Sequence, residues 1–268
     1  MMTQISILGC GWLGLPLAKA LLENGFSVKG STTSVEKLSV LENARIQSFH
    51  IELLETKILG KIDSFLENSK ILIIDIPPKL RGNSREDFVG KIEKLIPFIE
   101  KSLVENVLFI SSTSVYAEEN LVVTEESELN PDTESGRQLV KSEQLLQSNS
   151  NFKTTVLRFG GLIGEDRHPI KFLAGKTNIE NPNAPINLIH QDDCIGIILE
   201  IIKLNSWNES FNAVAPFHPS RKEYYTQKAI DMNLALPGFN VENSCLGKTI
   251  SSSKIEKKLG YPFAKPNL

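Results

Sequence analysis

Three glycines near the start of the chain, Gly9, Gly11 and Gly14, follow the spacing Gly-x-Gly-x-x-Gly. A short apolar run precedes them and an amphipathic stretch begins at Leu13, so the pattern predicts a strand, a tight turn and a helix. Because its glycines have no side chains, the turn lets a pyrophosphate approach free N–H groups at the positive end of the helix dipole. We therefore expect a nucleotide site that also includes Trp12 and Leu13. A structural turn without a ligand is the alternative.

The ends of the second and fourth predicted strands indicate which nucleotide would bind. An NAD-binding unit carries an acidic residue about 20 residues after the glycine turn, on the ribose 2′-hydroxyl. Here that place holds Ser31 and Thr32, with Lys37 one helical turn further on. Hydroxyl donors and a cation without an acid favour NADP(H), with NAD(H) as the alternative. Ser31 and Thr32 would equally suit a helix cap. Ile76 and Pro77 are predicted to lie beside the cofactor.

The elements that must position these residues alternate between strand and helix patterns, which predicts an α/β fold with a Rossmann-type, doubly wound parallel sheet. Residues 70–76 are almost continuously apolar, as in a central parallel strand. Beyond Gly164 the elements become shorter and prolines separate them. We expect a dinucleotide-binding domain at 1–165 and a smaller C-terminal substrate lobe at 166–268. Residues 186–216, approximately, are expected to pack back on the first domain.

Composition argues against several classes of partner. A hydrophobic share of 41% and a charged share of 23% are typical of a soluble globular protein. The net charge of −3 gives no electrostatic reason to expect nucleic acid or an anionic membrane. No apolar run approaches the roughly 18 residues of a membrane span, and no signal peptide is recognisable. The three cysteines lie far apart and do not group with histidines at metal-ligand spacing, so we expect reduced thiols, a cytoplasmic location and no metal site.

Four further stretches extend the pattern along the chain. They are Phe-Ile-Ser-Ser-Thr-Ser-Val-Tyr at 109–116, Val-Leu-Arg-Phe-Gly-Gly-Leu-Ile-Gly at 156–164, Asn-Leu-Ile-His-Gln-Asp-Asp at 187–193 and Phe-Asn-Ala-Val at 211–214. In this order the chain resembles the extended short-chain dehydrogenase/reductases of the NAD(P)-dependent epimerase/dehydratase group, which act largely on nucleotide sugars. The glycine turn and the Arg-His-Pro segment at 167–169 are most similar to an atypical, YeeZ-like branch. The resemblance implies a nicotinamide cofactor, a small-molecule substrate and a monomer or homodimer.

The resemblance also implies catalytic roles. In that family the serine at the place of Ser112 bonds the reacting oxygen, and the tyrosine of a Tyr-x-x-x-Lys motif transfers the proton. The spacing puts the lysine, which holds the cofactor ribose, at Lys141, and the residue four before it is Arg137. A guanidinium is always protonated, so Arg137 cannot do the acid/base work of the tyrosine, although it is expected to face the site. Tyr116 is the better substitute.

These candidates each have a structural alternative. Tyr116, predicted as proton donor and substrate-pocket residue, would otherwise be a pocket-wall or core aromatic. Ser112 would otherwise bond the neighbouring backbone at a strand end, and Lys141 would be a solvated helix lysine. Arg167 and His168, where the chain enters the second lobe, are predicted to bind an anionic substrate group together with Arg137. The alternative for Arg167 is an ion pair with an adjacent acidic residue.

Two functions therefore remain open. The first is an NAD(P)-dependent oxidoreductase or epimerase/dehydratase-like enzyme that acts on a small carbonyl/hydroxyl or nucleotide-sugar compound, with the usual catalytic tyrosine replaced. The second is a catalytically silent NADP(H)-binding sensor or regulatory protein.

Overall fold

A computed structural model of the chain describes residues 2–78, 80, 86–119, 121–240 and 247–268. The strands in these ranges are β1 (Gln4–Leu8), β2 (Ser27–Thr32), β3 (Gln47–His50), β4 (Glu52–Leu53), β5 (Ile58–Leu59), β6 (Ser69–Ile74), β7 (Asn106–Ser112), β8 (Val122–Val123), β9 (Lys153–Phe159), β10 (Gly161–Ile163), β11 (Leu188–His190), β12 (Ser210–Ala213) and β13 (Thr249–Ile250). The helices are α1 (Gly14–Glu23), α2 (Leu38–Asn43), α3 (Ile62–Leu66), α4 (Phe88–Lys101), α5 (Glu134–Gln147), α6 (Ile170–Leu173), α7 (Gln191–Lys203), α8 (Arg221–Asp231) and α9 (Ser253–Leu259).

Seven parallel strands form the central sheet, in the order β3-β2-β1-β6-β7-β9-β12. From β1 the chain first builds outward to β3 and then crosses back to β6 on the other side of β1. The strand order therefore reverses between β1 and β6, and a crevice opens there at the carboxyl ends of the two strands. The predicted Rossmann-type α/β fold is confirmed, and its switch point lies directly after Leu8 and Ile74.

Helices cover both faces of this sheet. Apolar residues of α1, α2, α7 and α9 pack with one set of strand side chains, and those of α3, α4 and α5 pack with the opposite set. Within β6 the alternation is direct, because Ile71 and Ile73 belong to the first core whereas Leu72 and Ile74 belong to the second. Burial on both faces accounts for the nearly continuous apolar sequence of this strand.

A third, smaller apolar cluster lies outside the two cores of the sheet, and we call the elements around this cluster the second lobe. It joins α6 and α8 to β10 and β11 through Ile170, Ile186, Tyr224 and Tyr225, among others. After β11 the chain returns to the main sheet, where α7 covers one face and β12 pairs with β9 at the edge. The elements of the two lobes are therefore interleaved along the sequence.

Two of the cysteines, Cys10 and Cys194, are buried free thiols, and Cys245 lies outside the described residues. Within the described ranges, none of the helices combines the length and the apolar composition that a membrane crossing requires.

Candidate functional site

The glycine turn lies at the switch point, and glycine suits each of its three positions for a different physical reason. Gly9 has a φ of +107°, and a Cβ added to it would lie 2.2 Å from the carbonyl oxygen of Asp75. A Cβ on Gly14 would lie 2.2 Å from the carbonyl oxygen of Gly9, so this glycine permits α1 to pack against the turn. At Gly11 an added Cβ would have no neighbouring atom within 4 Å, so open space lies above this backbone. Gly9 and Gly14 thus build the turn, and Gly11 leaves room for a ligand.

The first turn of α1 faces this open space. Its N-cap residue, Leu13, supplies no side-chain hydrogen bond to the helix amides. The N–H groups of Trp12 and Leu13, directly before the helix, have no hydrogen-bond acceptor among the described residues, whereas those of Gly11 and Leu15 bond the carbonyl oxygens of Gly9 and Gly11. Free N–H groups and the helix dipole favour an anion at such a position. The open backbone at Gly11 and the two free N–H groups together fit the diphosphate of a dinucleotide.

Asp75 follows β6 directly and forms the other wall of the crevice. Its backbone N–H donates to the Leu8 carbonyl oxygen at 2.9 Å, and the N–H of Gly14 donates to its carboxylate. Burial of the carboxyl group raises the pKa of Asp75 to about 8, against the opposing effect of the Gly14 hydrogen bond. Around neutral pH this group is therefore mostly protonated, which leaves the crevice free of its negative charge. We call Gly9, Gly11, Trp12, Gly14 and Asp75 the turn cluster.

The residues predicted to select the dinucleotide lie at the end of β2. Ser31 is buried, and its Oγ accepts a hydrogen bond from the N–H of Gly9 at 3.0 Å. The Oγ1 of Thr32 accepts from the N–H of Ser34 at 3.2 Å, and Lys37 is exposed. Ser31 therefore supports the turn from the neighbouring strand. Selection of the 2′-phosphate by these residues stays a prediction.

Ile76 and Pro77 continue from Asp75 along the same edge. The Cγ2 of Ile76 would lie 3.0 Å from a Cβ at Gly9, so this side chain contacts the turn. Pro77 is exposed. The structure thus brings Ile76 to the glycine turn, as the sequence predicts for a residue beside the cofactor, and contact with the cofactor itself stays a prediction.

The second lobe reaches the turn through Trp12. The indole Nε1–H donates to Oδ1 of Asp166 at 2.9 Å, and the side-chain amide of Gln191 donates to the Trp12 carbonyl oxygen at 2.7 Å. The guanidinium of Arg167 lies 4.9 Å from the centre of the Trp12 ring. The predicted alternative for Arg167 was an ion pair with an adjacent acid, and among the described residues it forms none. It stacks on the glycine turn instead.

His168 points the other way, into the apolar cluster of the second lobe. Its Nδ1 accepts from the N–H of Ile170 at 3.1 Å, which leaves Nε2 to donate to the Tyr224 hydroxyl at 2.9 Å. Burial, with Lys228 and Lys171 nearby, lowers the pKa of His168 to about 4. A neutral, fully bonded histidine of this kind stabilises the lobe. The structure therefore separates the His168 ring from Arg167, and the expected joint anion pocket is not formed.

Ser112 ends β7, the strand next to β6. Its Oγ accepts a hydrogen bond from the N–H of Ser114 at 3.2 Å, which is the structural alternative that the sequence left open. The side chain is half-buried, and its hydroxyl hydrogen is still available to a ligand oxygen. The start of α5 packs on this segment, since a Cβ at Gly136 would lie 2.3 Å from the Ser114 carbonyl oxygen.

Tyr116 does not line a pocket. It is 2% exposed, and its hydroxyl accepts from Arg158 Nη1 at 2.6 Å and donates to Asn212 Oδ1 at 2.9 Å. Arg158 also forms a buried ion pair with Glu143, with Nη2 2.7 Å from Oε2, and Ser111 donates to Glu143 Oε1 at 2.5 Å. Burial raises the pKa of Tyr116, which disfavours loss of its proton. The core alternative therefore describes Tyr116 better than the predicted role of proton donor. We call Ser111, Tyr116, Glu143, Arg158 and Asn212 the buried cluster.

Arg137 and Lys141 share one face of α5, but it is the exposed face. The buried positions of this helix are Gly136, Leu139, Ser142, Glu143 and Leu146. Arg137 Nε donates to Glu134 Oε2 at 2.9 Å, and its Nη1 reaches the carbonyl oxygens of the preceding loop. The expectation that Arg137 faces the site therefore requires correction. The helical period directs the side chain of Glu143 toward the sheet and those of Arg137 and Lys141 toward solvent.

Sequence reasoning missed Asp75, Glu143, Arg158 and Asn212. Three of them carried a signal, because Asp75, Arg158 and Asn212 interrupt or end apolar strands at positions where a charged or amide side chain needs a buried partner. Glu143 carried none, since an acidic residue in an amphipathic helix is ordinarily exposed.

Comparison with known proteins agrees with this geometry. The chain is 32% identical to protein YeeZ of Escherichia coli strain K12 over 269 aligned positions, which cover 99% of this chain and 97% of that protein. It belongs to the YeeZ family. No family model matches the chain.

Solved structures share the fold of this YeeZ-like protein at low sequence identity. One is UDP-glucuronic acid 4-epimerase from Bacillus cereus in complex with NAD, with a TM-score of 0.81 at 18% identity, covering 98% of this chain and 94% of that one. Another is UDP-N-acetylglucosamine 4-epimerase from the same organism, with a TM-score of 0.79 at 15% identity and the same coverage. At such identities the similarity establishes the Rossmann-type architecture and no more.

Proposed function

We propose that this YeeZ-like protein binds a nicotinamide dinucleotide, with NADP(H) preferred over NAD(H), and catalyses an oxidoreductase or epimerase-like reaction. The substrate would be a small carbonyl/hydroxyl compound or a nucleotide sugar. The observation that carries the proposal is the glycine turn at the switch point of the sheet, with open space above Gly11 and the N–H groups of Trp12 and Leu13 without an acceptor beside it. Similar structures that include a UDP-sugar epimerase in complex with NAD support a nicotinamide dinucleotide, and the preference for NADP(H) rests on Ser31, Thr32 and Lys37.

The residues of the chain would divide the work as follows. Trp12 and Leu13 would hold the diphosphate with their free backbone N–H groups in the space above Gly11, and Ser31 and Thr32 would select the adenosine ribose. A bound nicotinamide dinucleotide supplies a hydride donor or acceptor. Ser112 would donate its free hydroxyl hydrogen to the substrate oxygen and so stabilise charge that develops there.

A specific observation favours a second function, a catalytically silent dinucleotide sensor. Tyr116, the predicted substitute for the family's tyrosine, is engaged elsewhere, because its hydroxyl is bonded on both sides in the core. Arg137, which stands in place of that tyrosine, pairs with Glu134 at the surface. If no other group transfers a proton, binding would survive without turnover.

Calorimetric titration with NADPH and NADH tests the shared part of both proposals. We expect binding, tighter for NADPH, and the absence of binding by either would refute both functions. A tighter complex with NADH would refute only the assignment of Ser31, Thr32 and Lys37 to the 2′-phosphate.

Turnover separates the two functions. Nicotinamide absorbance at 340 nm is followed with UDP-sugars, aldehydes and ketoacids, and sugar epimers are separated chromatographically. The enzyme proposal predicts activity that Ser112→Ala reduces about 10-fold or more, the loss expected for removal of one hydrogen bond to a developing charge. Ser39→Ala, an exposed serine on α2, is the control. Tight binding without turnover in the wild type would favour the sensor.

A further inference from the structure

Trp12 is held in the glycine turn from outside that turn. Its indole N–H is bound by Asp166 and its carbonyl oxygen by Gln191. Gly164 packs closely against the ring, because a Cβ added to it would lie 2.8 Å from Cζ2 of the indole. Asp166 and Gly164 therefore fix the Trp12 ring beside the proposed diphosphate site, and Gln191 fixes the Trp12 backbone.

The same segment carries a cation onto that ring. Gly164 and Arg167 form an antiparallel bridge with two backbone hydrogen bonds. The Gly164 nitrogen lies 2.8 Å from the Arg167 carbonyl oxygen, and the Arg167 nitrogen lies 3.1 Å from the Gly164 carbonyl oxygen. This bridge aims Arg167 back at the turn, where its guanidinium stacks 4.9 Å from the ring centre of Trp12. Asp166, the adjacent acid in the sequence, does not pair with Arg167, because its Oδ1 accepts a hydrogen bond from the indole N–H of Trp12. The side chain of Arg167 is exposed, and no carboxylate of the described residues pairs with it.

An exposed, stacked guanidinium is suited to bind phosphate. Arginine presents a planar fork of donors that matches phosphate oxygens, and stacking on an aromatic ring fixes the orientation of the fork without consuming its donors. Trp12 is the residue between the open Gly11 and the N-cap Leu13, so the guanidinium lies beside the place where the proposed diphosphate would bind.

We propose that Arg167 binds the diphosphate of the dinucleotide, so that the second lobe closes on the cofactor through one side chain. This inference rests on the proposed function. It gives Arg167 a cofactor-binding role in place of the substrate-binding role that its sequence position predicts. It also makes the Trp12 ring a reporter of binding, because the ring contacts both the turn and the cation.

The test compares wild type with Arg167→Gln, which keeps a polar planar group and removes the charge. Arg221→Gln, at the start of α8 in the same lobe, is the matched control. NADPH and ADP-ribose carry the diphosphate and adenosine lacks it, and dissociation constants are measured at low and at high salt. Circular dichroism and the unfolding midpoint confirm that each variant is folded.

We expect Arg167→Gln to weaken NADPH and ADP-ribose about tenfold or more, as for loss of a charge-assisted hydrogen bond. Adenosine binding should not change, and the salt dependence of NADPH binding should become shallower. Binding of NADPH should also change the tryptophan emission of wild type, and Trp12→Phe, which retains Trp207, should abolish that change.

Two results would overturn the inference. Equal NADPH affinity in Arg167→Gln and wild type would exclude the contact while leaving the proposed function intact, and a raised substrate KM in the same variant would then assign Arg167 to the substrate. Equal weakening of adenosine and NADPH would indicate a distorted turn. Failure of wild type to bind NADPH or NADH would instead refute the proposed function itself.

Discussion

The turn cluster and the buried cluster both lie toward the carboxyl ends of sheet strands, yet they differ in how their polar groups are used. In the buried cluster, Glu143 is 0% and Arg158 is 3% exposed, and the ion pair, the tyrosine and the serine bond one another. In the turn cluster, the space above Gly11 is open, and Arg167, which stacks on Trp12 of this cluster, has no acidic partner among the described residues.

This difference shows that the type of a residue does not determine its role. Tyrosine, glutamate, arginine and serine are the types expected in an acid/base site, but in the buried cluster their bonds to one another hold α5 against the sheet. The turn cluster, built mainly of glycines, contains few reactive side chains, and open space lies above its backbone. The buried cluster also has a donor without a partner, Asn212 Nδ2, but that donor is enclosed in the core. Exposed donors beside open space, rather than reactive residue types, therefore identify the ligand site that we propose.

The largest expected effect follows from breaking the ion pair of the buried cluster. Glu143→Ala leaves the guanidinium of Arg158 buried without its partner, so we expect the free energy of unfolding to fall by about 3–5 kcal/mol. Urea denaturation measures it. The double variant Glu143→Met with Arg158→Leu removes both charges and should lose clearly less than the single variant. A single-variant loss below about 1 kcal/mol would contradict the structural role of the pair.

Alanine substitutions at two glycines of the turn cluster should affect different properties, stability at Gly9 and NADPH binding at Gly11. Gly9→Ala should destabilise the protein by more than about 1 kcal/mol, because φ is positive and the Cβ would clash with the Asp75 carbonyl oxygen. Gly11→Ala should change stability by less than about 0.5 kcal/mol and yet weaken NADPH binding at least about tenfold, equivalent to ~1.4 kcal/mol. Gly238→Ala, where an added Cβ meets only ordinary contacts, is the control. Unchanged NADPH affinity in Gly11→Ala would exclude the turn as the diphosphate site.

The pH dependence of the free energy of unfolding should reveal the raised pKa of Asp75. Its folded pKa of about 8 lies above its ordinary value of 3.8, so between these pH values the unfolded chain binds fewer protons than the folded protein. This contribution to stability is fully present below pH 3.8 and is lost as the pH rises toward 8. Asp75→Asn should remove this slope, and the gain over wild type should be larger at pH 7.5 than at pH 5 in urea denaturation. Parallel pH profiles in the two proteins would show that the carboxyl group is not withdrawn from water.

The smallest effect is expected in the second lobe. Tyr224→Phe removes the acceptor of the His168 Nε2–H bond and should cost about 1 kcal/mol. Tyr225→Phe, which alters the adjacent ring without removing that bond, is the control. Because the pKa of His168 is lowered from 6.5 to about 4, its contribution to stability is lost as the pH falls from 6.5 toward 4, opposite in sign to the Asp75 effect. An equal cost for both variants would show that the hydrogen bond contributes nothing specific.

Local sequence patterns were sufficient for the main sheet. The glycine spacing between a strand and a helix, and the doubly buried apolar run of β6, depend on neighbours in the chain, and both appear in the structure as expected. Pro97 lies inside the helical pattern of α4, where a proline indicates a kink or an early end of the helix. The helix does not end there, because α4 continues to Lys101. Pro97 is exposed, and α4 is anchored by its buried apolar side chains, among them Leu95 and Ile99.

The partners within the site could not be predicted in the same way. Tyr116 bonds Asn212, 96 residues away, and Trp12 bonds Asp166, 154 residues away, so neither pairing leaves a local pattern. The positions of Arg137 and Lys141 were inferred from their shared helix face, but a period alone does not say which face is buried. Only the packing of Gly136 and Glu143 against the sheet decides that.

The late position of β12 has a consequence for synthesis of the chain. β9 ends at Phe159, but its outer neighbour begins only at Ser210, and α7, which covers one face of the sheet, begins at Gln191. At translation rates of about 5–20 residues per second, roughly 3–10 s separate the two strands. During that interval the nascent chain carries an unpaired apolar strand edge, which is the kind of surface that promotes association between chains. Chaperone capture of translation intermediates should therefore peak after β9 has emerged and decline once β12 has joined the sheet.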